Sequence, residues 1–219
     1  MLHAEDVTVT YGRRRVLHDA AITLRPGTLT GLAGPSGCGK STFARVLGLL
    51  QKPVTGRVTI DGTEVRRWRN RAGRDLRVRV GLIFQQPRLA VDPRFTLREI
   101  IAEPLRATGR RPVRADELAE EMGLTPDLLT RRPHEVSDGQ LQRACVARTL
   151  ALRPRYVICD EMTTMLDAST QAHLVACLEA YRADSGAAIL AITHDDELLA
   201  RWAGAEGVIH HLDAAEPSV

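Results

Sequence analysis

The chain of 219 residues carries a formal net charge of +3, and 44% of its residues are hydrophobic. This length allows one sizeable core or a core with an inserted subdomain. The net charge is so small that the composition does not call for an acidic partner. No apolar run approaches the ~20 residues that a membrane-spanning helix needs. Glu5 and Asp6 add acid early in the chain, so we expect no signal peptide. The four cysteines lack paired metal-ligand spacing, which predicts free thiols in a cytosolic protein.

The first part of the chain predicts an antiparallel hairpin, then a buried strand and a helix. Val7–Tyr11 alternates apolar and polar residues, and Val16–Leu24 has the composition of a second strand after an arginine-rich turn. The apolar run Leu29–Ala33 is typical of a fully buried strand, and helical spacing of apolar residues follows from Phe43 to Leu50. Further short strands are expected at Arg57–Ile60 and Val78–Phe84.

A glycine-rich loop lies between that buried strand and that helix. Its nine residues are Gly34, Pro35, Ser36, Gly37, Cys38, Gly39, Lys40, Ser41 and Thr42. They fit the phosphate-binding pattern G-x-x-x-x-G-K-[ST], in which glycines let backbone N–H groups turn inward and the following helix adds a favourable dipole. Lys40 can reach the β- and γ-phosphates of a nucleotide, and the Ser41 hydroxyl can ligate Mg²⁺. Strand, loop and helix in this order predict nucleotide binding.

The remainder of the chain predicts a helical block followed by alternating strands and helices. Within residues 96–152, helical spacing occurs at Leu97–Ala107, Arg114–Met122 and Leu141–Leu152. Strands are expected at Tyr156–Cys159, Ala187–Ile192 and Gly207–Leu212, with helices at Gln171–Ala183 and Glu197–Trp202 and a loose tail at Ala214–Val219. This alternation predicts a mostly parallel sheet covered on both faces, into which the helical block is inserted.

Two acidic residues follow the apolar strand Tyr156–Cys159. Ligands of open α/β sheets bind at the carboxyl ends of strands, which places Asp160 and Glu161 at the ligand edge. We expect Asp160 to hold Mg²⁺ directly or through water, and Glu161 to orient a water that attacks the γ-phosphate. The simpler alternative is an acidic loop after a strand, but the phosphate-binding loop upstream favours the catalytic interpretation.

Three further motifs follow in a fixed order. They are Val136–Arg143 (Val-Ser-Asp-Gly-Gln-Leu-Gln-Arg), Asp160–Asp167 and Ile192–Asp195. With the phosphate-binding loop, they resemble the nucleotide-binding subunits of ATP-binding-cassette (ABC) transporters over nearly the whole chain. The resemblance implies an α/β fold in which a P-loop NTPase (RecA-like) core carries an antiparallel β subdomain and an inserted α-helical subdomain. It implies one ABC ATPase domain, with residues 1–86 and 154–219 forming the core and β subdomain and residues 87–153 the helical subdomain.

The resemblance also assigns roles to individual side chains. Lys40 and Glu161 would be catalytic, together with His194, which would contact the γ-phosphate. Tyr11 would stack on the adenine of ATP, because an aromatic face suits a purine. Gln85 would meet both Mg²⁺ and the attacking water, and it would join the core to the helical subdomain. Each of these residues taken alone has an ordinary structural explanation, so the ordered set carries the assignment.

The resemblance further implies a composite site that two cassettes share. The implied Mg²⁺ ligands are Ser41, Gln85 and Asp160. The signature segment, which consists of Ser137, Asp138, Gly139 and Gln140, would bind the γ-phosphate of an ATP molecule held by the opposite subunit. A helix N-terminus after Ser137 suits such an anion. Asp167 would belong to the loop that crosses the interface of a homodimer, or of a heterodimer with a second ABC ATPase.

A finer resemblance concerns the importers of dipeptides, oligopeptides and nickel. It rests on the segments Val80–Arg88, Asp92–Arg94 and Ile100–Leu105. This resemblance implies that the region contacts transmembrane permease subunits, and that the chain lies on the cytoplasmic side of the cell membrane as a peripheral subunit. Cargo would be set by the membrane and solute-binding subunits.

Two residues depart from the family pattern. Asp138 stands where the signature has glycine, and Met162 replaces the proline that usually follows the catalytic glutamate. A carboxylate that faced the γ-phosphate would repel it, whereas one that points to solvent or to an arginine would be harmless. One hypothesis is that Asp138 weakens a composite site and slows one site of a heterodimer. The Met162 change alters loop stiffness and not charge.

Two other functions remain as alternatives. Seven arginines between Arg66 and Arg79 surround Trp68, a composition that could meet the phosphates and bases of a nucleic acid. A solvated surface loop explains this run more simply, so we expect no direct nucleic-acid partner. The other alternative is a regulatory module that binds ATP without hydrolysing it, and the presence of Glu161 and His194 argues against it.

Overall fold

The computed structural model describes residues 1–111, 114–163, 166–203 and 207–212. Its strands are β1 (Leu2–Tyr11), β2 (Arg14–Leu24), β3 (Leu29–Ala33), β4 (Thr55–Ile60), β5 (Thr63–Glu64), β6 (Val80–Ile83), β7 (Tyr156–Asp160), β8 (Ala188–Ile192) and β9 (Val208–His211). Its α-helices are α1 (Lys40–Leu47), α2 (Arg74–Arg77), α3 (Leu97–Ala107), α4 (Arg114–Glu121), α5 (Pro126–Leu129), α6 (Asp138–Leu150), α7 (Ala168–Ser185) and α8 (Asp196–Ala203). Single 3₁₀ turns occur at Arg69–Arg71, Pro87–Leu89 and Pro133–Glu135.

The strands form two sheets of different kinds. The first is antiparallel in the order β2-β1-β4-β5, and the second is parallel in the order β6-β7-β8-β3-β9. β3, β7 and β8 are buried at every position, which explains why they have continuous apolar runs instead of alternation. The structure therefore confirms the predicted α/β fold, with helices α3 to α6 between β6 and β7.

Helix α6 connects the helical part to the parallel sheet. Its buried side chains, such as Leu141 and Val146, share one apolar cluster with α3 and α4 and with Val157 of β7. A second cluster lies between the antiparallel sheet, α1 and the parallel sheet, and includes Phe43 and Tyr156. None of the described helices is long and apolar enough to cross a membrane.

Asp61, in the turn after β4, ties the two sheets together. One carboxylate oxygen accepts hydrogen bonds from the Met1 amine at 2.8 Å and from the Tyr156 hydroxyl at 2.6 Å. The other accepts from Arg79 at 3.1 Å and from Arg155 at 2.9 Å. Burial acts to raise the pKa of Asp61, but these donors outweigh it and lower the pKa to about 2.

Several element boundaries differ from the sequence-based predictions, each for a physical reason. β1 begins at Leu2 and not at Val7, because register shifts near Asp6, whose φ is 53°, interrupt the alternation. α1 begins at Lys40 and not at Phe43, because its first turn contains the polar residues Lys40, Ser41 and Thr42 of the phosphate-binding loop, which do not show apolar spacing. α6 begins at Asp138 because Ser137 caps it, whereas apolar spacing marks only the later turns. The predicted tail at Ala214–Val219 lies outside the described residues.

Candidate functional site

The loop of residues 34–42 connects β3 to α1 and has a backbone that only glycine tolerates at two positions. Gly34 has φ 147°, and a Cβ atom there would lie 2.5 Å from the Leu212 carbonyl oxygen. Gly39 has φ 107°, and its Cβ would lie 2.6 Å from a Leu17 methyl and 2.7 Å from the Val16 carbonyl. Close packing against β2 and the segment after β9 therefore fixes the loop.

Lys40 turns back across this loop. Its ammonium donates hydrogen bonds to the carbonyl oxygens of Gly34 at 2.7 Å and Pro35 at 3.1 Å, and the residue is 4% exposed. The cation thus lies within the curve of the loop and at the N-terminus of α1, where the helix dipole also favours an anion. This arrangement can bind a phosphate group.

Ser41 and Asp160 meet at the carboxyl end of β7. The Ser41 hydroxyl donates a 2.9 Å hydrogen bond to a carboxylate oxygen of Asp160, although 119 residues separate them. Burial raises the pKa of Asp160, the Ser41 hydrogen bond opposes that rise, and the neighbouring charge of Glu161 adds to it. The negative charge of this buried carboxylate is only partly balanced by its neighbours. Together with the adjacent hydroxyl, it forms a set of oxygen ligands that fits a hard cation such as Mg²⁺.

Glu161, Gln85 and His194 follow three adjacent strands, and their side chains lie close together. The Glu161 backbone N–H donates to the Ile192 carbonyl oxygen at 2.9 Å, and the residue's φ of 46° lies in the left-handed region. The Gln85 amide, just beyond β6, donates to a carboxylate oxygen of Glu161 at 2.9 Å. His194 Nδ1, just beyond β8, lies 3.6 Å from the same oxygen. The three side chains can hold a water molecule at the ligand edge of the sheet.

The signature segment forms the start of α6. Ser137 and Gln140 make a capping box: the Ser137 N–H donates to the Gln140 side chain at 3.0 Å, and the Gln140 N–H donates to the Ser137 hydroxyl at 3.2 Å. A Cβ atom on Gly139 would lie 3.6 Å from Leu166 and from Thr170, so this end of α6 lies against the beginning of α7.

Asp138 points to an arginine. The Arg88 guanidinium donates through Nε to Asp138 at 2.7 Å, and its other two nitrogens donate to the carbonyl oxygens of Pro133 at 2.6 Å and Val136 at 3.1 Å. Of the orientations weighed from the sequence, the structure has the arginine-paired one. Sequence reasoning missed Arg88, because 50 residues separate it from Asp138.

Asp167 is the N-cap of α7 in this structure. Its carboxylate accepts hydrogen bonds from the N–H groups of Ser169 at 3.1 Å and Thr170 at 2.9 Å, and from both hydroxyls. The Ser169 hydroxyl contributes most to a pKa well below the usual range for aspartate. A cap explains this residue within the chain, and its implied place in a dimer interface stays a prediction.

Tyr11 ends β1 and is 47% exposed, next to Arg14 across the hairpin. The same hairpin reaches the phosphate-binding loop through Val16 and Leu17, which lie against Gly39. An exposed ring on the hairpin that contacts the loop is compatible with a base platform.

Two polar residues of α6 were not singled out from the sequence. Gln142 is 1% exposed, and its amide donates to the Phe84 carbonyl oxygen at 3.1 Å. Arg148 donates to the Ala90 carbonyl oxygen at 2.6 Å and pairs with Glu103 at 2.9 Å. Gln142 precedes the buried Cys145 and Val146 by three and four positions. A polar residue on an apolar helix face was therefore the available signal.

The arginine-rich stretch offers little support for a nucleic-acid surface. Trp68 packs against the second apolar cluster together with Leu76, so its ring is partly buried. Arg69 donates to the Leu50 carbonyl oxygen at 3.1 Å. The aromatic residue that would have stacked on a base thus contributes to the fold.

The parallel sheet, the phosphate-binding loop and the acidic end of β7 define a P-loop nucleotide-binding protein. Residues 17–164 match the family described as ABC transporter. The chain belongs to this family, and it is an ABC-type ATPase that binds ATP.

Relatives and solved structures agree with this assignment. The nickel import ATP-binding protein NikE of Brucella suis is 40% identical over 196 residues, which cover 87% of this chain and 74% of that protein. The oligopeptide transport ATP-binding protein OppF of Salmonella typhimurium is 40% identical over 182 residues, or 80% of this chain and 54% of that protein. A dimeric structure of the ATP-binding cassette MJ0796 with ADP and Pi superposes with a TM-score of 0.86 at 28% identity, covering 100% of this chain and 98% of that one.

Proposed function

We propose that the chain is the ATP-hydrolysing subunit of an importer, and that it works on the cytoplasmic side of the membrane as a peripheral partner of transmembrane permease subunits. The names of relatives such as NikE and OppF support a cargo of nickel, peptides or a related small solute. The observation that carries the proposal is the meeting of Gln85, Glu161 and His194 at the strand ends. This group would act beside the phosphate-binding loop, whose Ser41 contacts Asp160.

Nucleotide binding falls to the loop and the hairpin. The backbone of residues 34–42 and the N-terminus of α1 surround the phosphates, and Lys40 exchanges its bonds to the loop carbonyls for phosphate oxygens. The rest of the loop backbone around the phosphates is formed by Pro35, Ser36, Cys38 and Thr42. Tyr11 stacks on the adenine.

Ser41, Asp160 and Gln85 would hold Mg²⁺. Bound there, the ion would neutralise charge on the β- and γ-phosphate oxygens. Asp160 is suited to this role because its buried negative charge is costly without a cation.

Glu161 orients the attacking water and accepts its proton. Gln85 fixes one carboxylate oxygen of Glu161 by its hydrogen bond, so the water meets a carboxylate of defined orientation. His194, whose side chain is 54% exposed, can turn from Glu161 to donate a hydrogen bond to the γ-phosphate. Catalysis is then mainly positioning and charge neutralisation.

A second cassette completes the site. The signature segment of one cassette meets the γ-phosphate bound by the other, and Asp167 lies near the interface between them. The partner is a second copy or a related ABC ATPase, and the dimeric MJ0796 cassette supports such an assembly. Closing and reopening of the two cassettes would drive the permease.

The test is ATP affinity and hydrolysis by the purified chain with and without Lys40. Lys40→Met removes the buried cation and should weaken ATP binding roughly 10- to 100-fold, as expected for loss of hydrogen bonds to charged groups. Lys52→Met is the matched control, because Lys52 is the only other lysine and is exposed. Equal ATP affinity for the parent and Lys40→Met would contradict the proposed nucleotide site.

A further inference from the structure

We propose that Arg88 is a positioning residue that neutralises Asp138 and holds the signature segment in the orientation needed to meet ATP across a cassette dimer. This inference rests on the proposed function, because it requires that Ser137–Gln140 face the nucleotide of another cassette. It concerns the pair of Arg88 and Asp138. The family resemblance leads one to expect glycine at position 138, where this chain has aspartate.

All three nitrogens of the Arg88 guanidinium contact the segment before and within the start of α6. Nε binds the Asp138 carboxylate at 2.7 Å, while the terminal nitrogens bind the carbonyls of Pro133 and Val136. The planar group thus fixes both the side chain at the first position of α6 and the backbone just before its Ser137 cap. An isolated ion pair with both side chains 46% exposed would contribute little, but the two carbonyl contacts give this pair a fixed geometry.

The charge argument follows from the location of Asp138. A carboxylate in the first turn of α6 interacts favourably with the helix dipole, but it opposes a phosphate that approaches the same helix end. Arg88 balances that carboxylate within hydrogen-bonding distance, so the helix N-terminus can still attract an anion. This expectation is opposite to the hypothesis that Asp138 weakens the composite site.

Arg88 also lies close to the water-orienting residue in sequence. We define the Gln85 segment as residues 84–90. Helix α6 holds this segment at three points: Gln142 binds the Phe84 carbonyl, Asp138 binds Arg88, and Arg148 binds the Ala90 carbonyl. Movement of the Gln85 segment would therefore move the start of α6, and Arg88 links the part of the site that orients water to the part that meets the second cassette.

The experiment measures ATP-driven association of the Glu161→Gln chain by analytical ultracentrifugation, with ATP affinity measured separately on each variant. Adding Arg88→Ala should weaken association by roughly 10-fold, because the uncompensated Asp138 opposes phosphate. In the Asp138→Gly background, the same Arg88→Ala change should weaken association less than 2-fold or so. Added salt should shrink the deficit of Arg88→Ala, since screening weakens exposed charges.

The matched control is Arg98→Ala. Arg98 is 45% exposed and also pairs with an aspartate, Asp116, but on the α3–α4 side of the helical part. It should leave association unchanged. The inference is overturned if Arg88→Ala associates like its parent, or if the Arg88→Ala deficit is as large without Asp138 as with it. The latter outcome would mean that Arg88 is only structural.

Failure of the proposed nucleotide site, on which this inference rests, would be distinguishable, because the Glu161→Gln parent would then not bind ATP. If the parent binds ATP but does not associate with itself, hydrogen exchange of residues 133–141 in the monomer tests whether Arg88 positions the segment. Arg88→Ala should raise exchange several-fold there, since the Pro133 and Val136 carbonyls lose their donor and the adjacent cap loosens. Unchanged exchange would overturn the inference.

Discussion

The phosphate-binding loop and the signature segment are built by different means. The loop of residues 34–42 is fixed by backbone constraints, with glycines packed against Leu17 and Leu212 and with a buried Lys40. The signature segment is held by side chains from another part of the chain, and its key pair of Arg88 and Asp138 is nearly half exposed. Both regions would contact the same phosphates, but from different cassettes.

This structural difference matches the different tasks expected of the two regions. A loop whose backbone is fixed by close packing at Gly34 and Gly39 suits tight binding that persists through the cycle. A segment positioned by partly exposed side-chain contacts lies where another cassette can reach it, which suits a surface that must associate and separate. Changes at the phosphate-binding loop should therefore cause large losses of ATP hydrolysis. Changes around the signature segment should reduce hydrolysis by smaller factors.

Apart from loss of Glu161, Asp160→Asn should have the largest effect on hydrolysis. It removes the buried carboxylate beside Ser41, and MgATP hydrolysis should fall by roughly 100-fold or more because a metal ligand is lost. Since Asn can still accept the Ser41 hydrogen bond, the local structure should persist. Steady-state hydrolysis as a function of Mg²⁺ concentration measures the loss, and hydrolysis at the parent rate would contradict it.

The same variant should be more stable than the parent without nucleotide at neutral pH. Burial raises the pKa of Asp160 above the ordinary 3.8, so its ionised form destabilises the folded chain. The protonated form of Asp160 does not carry this cost, so the contribution of this group to the stability of the parent is fully present at pH values below 3.8. The parent loses this contribution as pH rises through the raised pKa. Urea unfolding should show a gain for Asp160→Asn at neutral pH that disappears toward about pH 4. A gain that grows on acidification would contradict this account.

Gln142→Leu should have an intermediate effect that separates stability from activity. The change removes the donor to the Phe84 carbonyl, but it also removes a buried amide oxygen that has no hydrogen-bond partner in the described structure. The free energy of unfolding should thus change by less than about 1 kcal/mol. ATP hydrolysis should fall several-fold, because the Gln85 segment loses one of its three anchors on α6.

The control for Gln142→Leu is Thr149→Val on the same helix. In the part of the chain that the structure describes, the Thr149 hydroxyl donates to the Cys145 carbonyl within α6, and valine has nearly the same shape as threonine. Thr149→Val should leave hydrolysis near the parent value. Equal losses in the two variants would show that hydrolysis responds to α6 in general and not to the anchor at Phe84.

Thiol labelling tests the packing of the phosphate-binding loop. Cys177 is partly exposed, while Cys38 in the phosphate-binding loop is buried, so a small alkylating reagent should modify Cys177 faster by roughly 10-fold or more. Bound ATP should slow modification of Cys38 further. Once attached at Cys38, the added group should block ATP binding sterically, and unchanged ATP affinity after complete labelling of Cys38 would contradict this.

The two regions also differed in how well the sequence predicted them. The loop was predictable because its backbone geometry restricts the residue type at Gly34 and Gly39, and the buried strand β7 was marked by an apolar run ending in Asp160. The partner of Asp138 was not predictable, since Arg88 approaches it only through the tertiary packing of α6 on the Gln85 segment. Register shifts near Asp6 likewise hid the beginning of β1 from a search for alternation.

The most direct test of the catalytic account is ATP binding and hydrolysis by Glu161→Gln. The variant should bind ATP with affinity close to the parent, while hydrolysis should fall by about 10²- to 10⁴-fold because the residue that orients water and accepts its proton is lost. Glu117→Gln, at an exposed position on α4, is the control and should hydrolyse ATP normally. A Glu161→Gln chain that binds ATP and hydrolyses it at the parent rate would contradict the account.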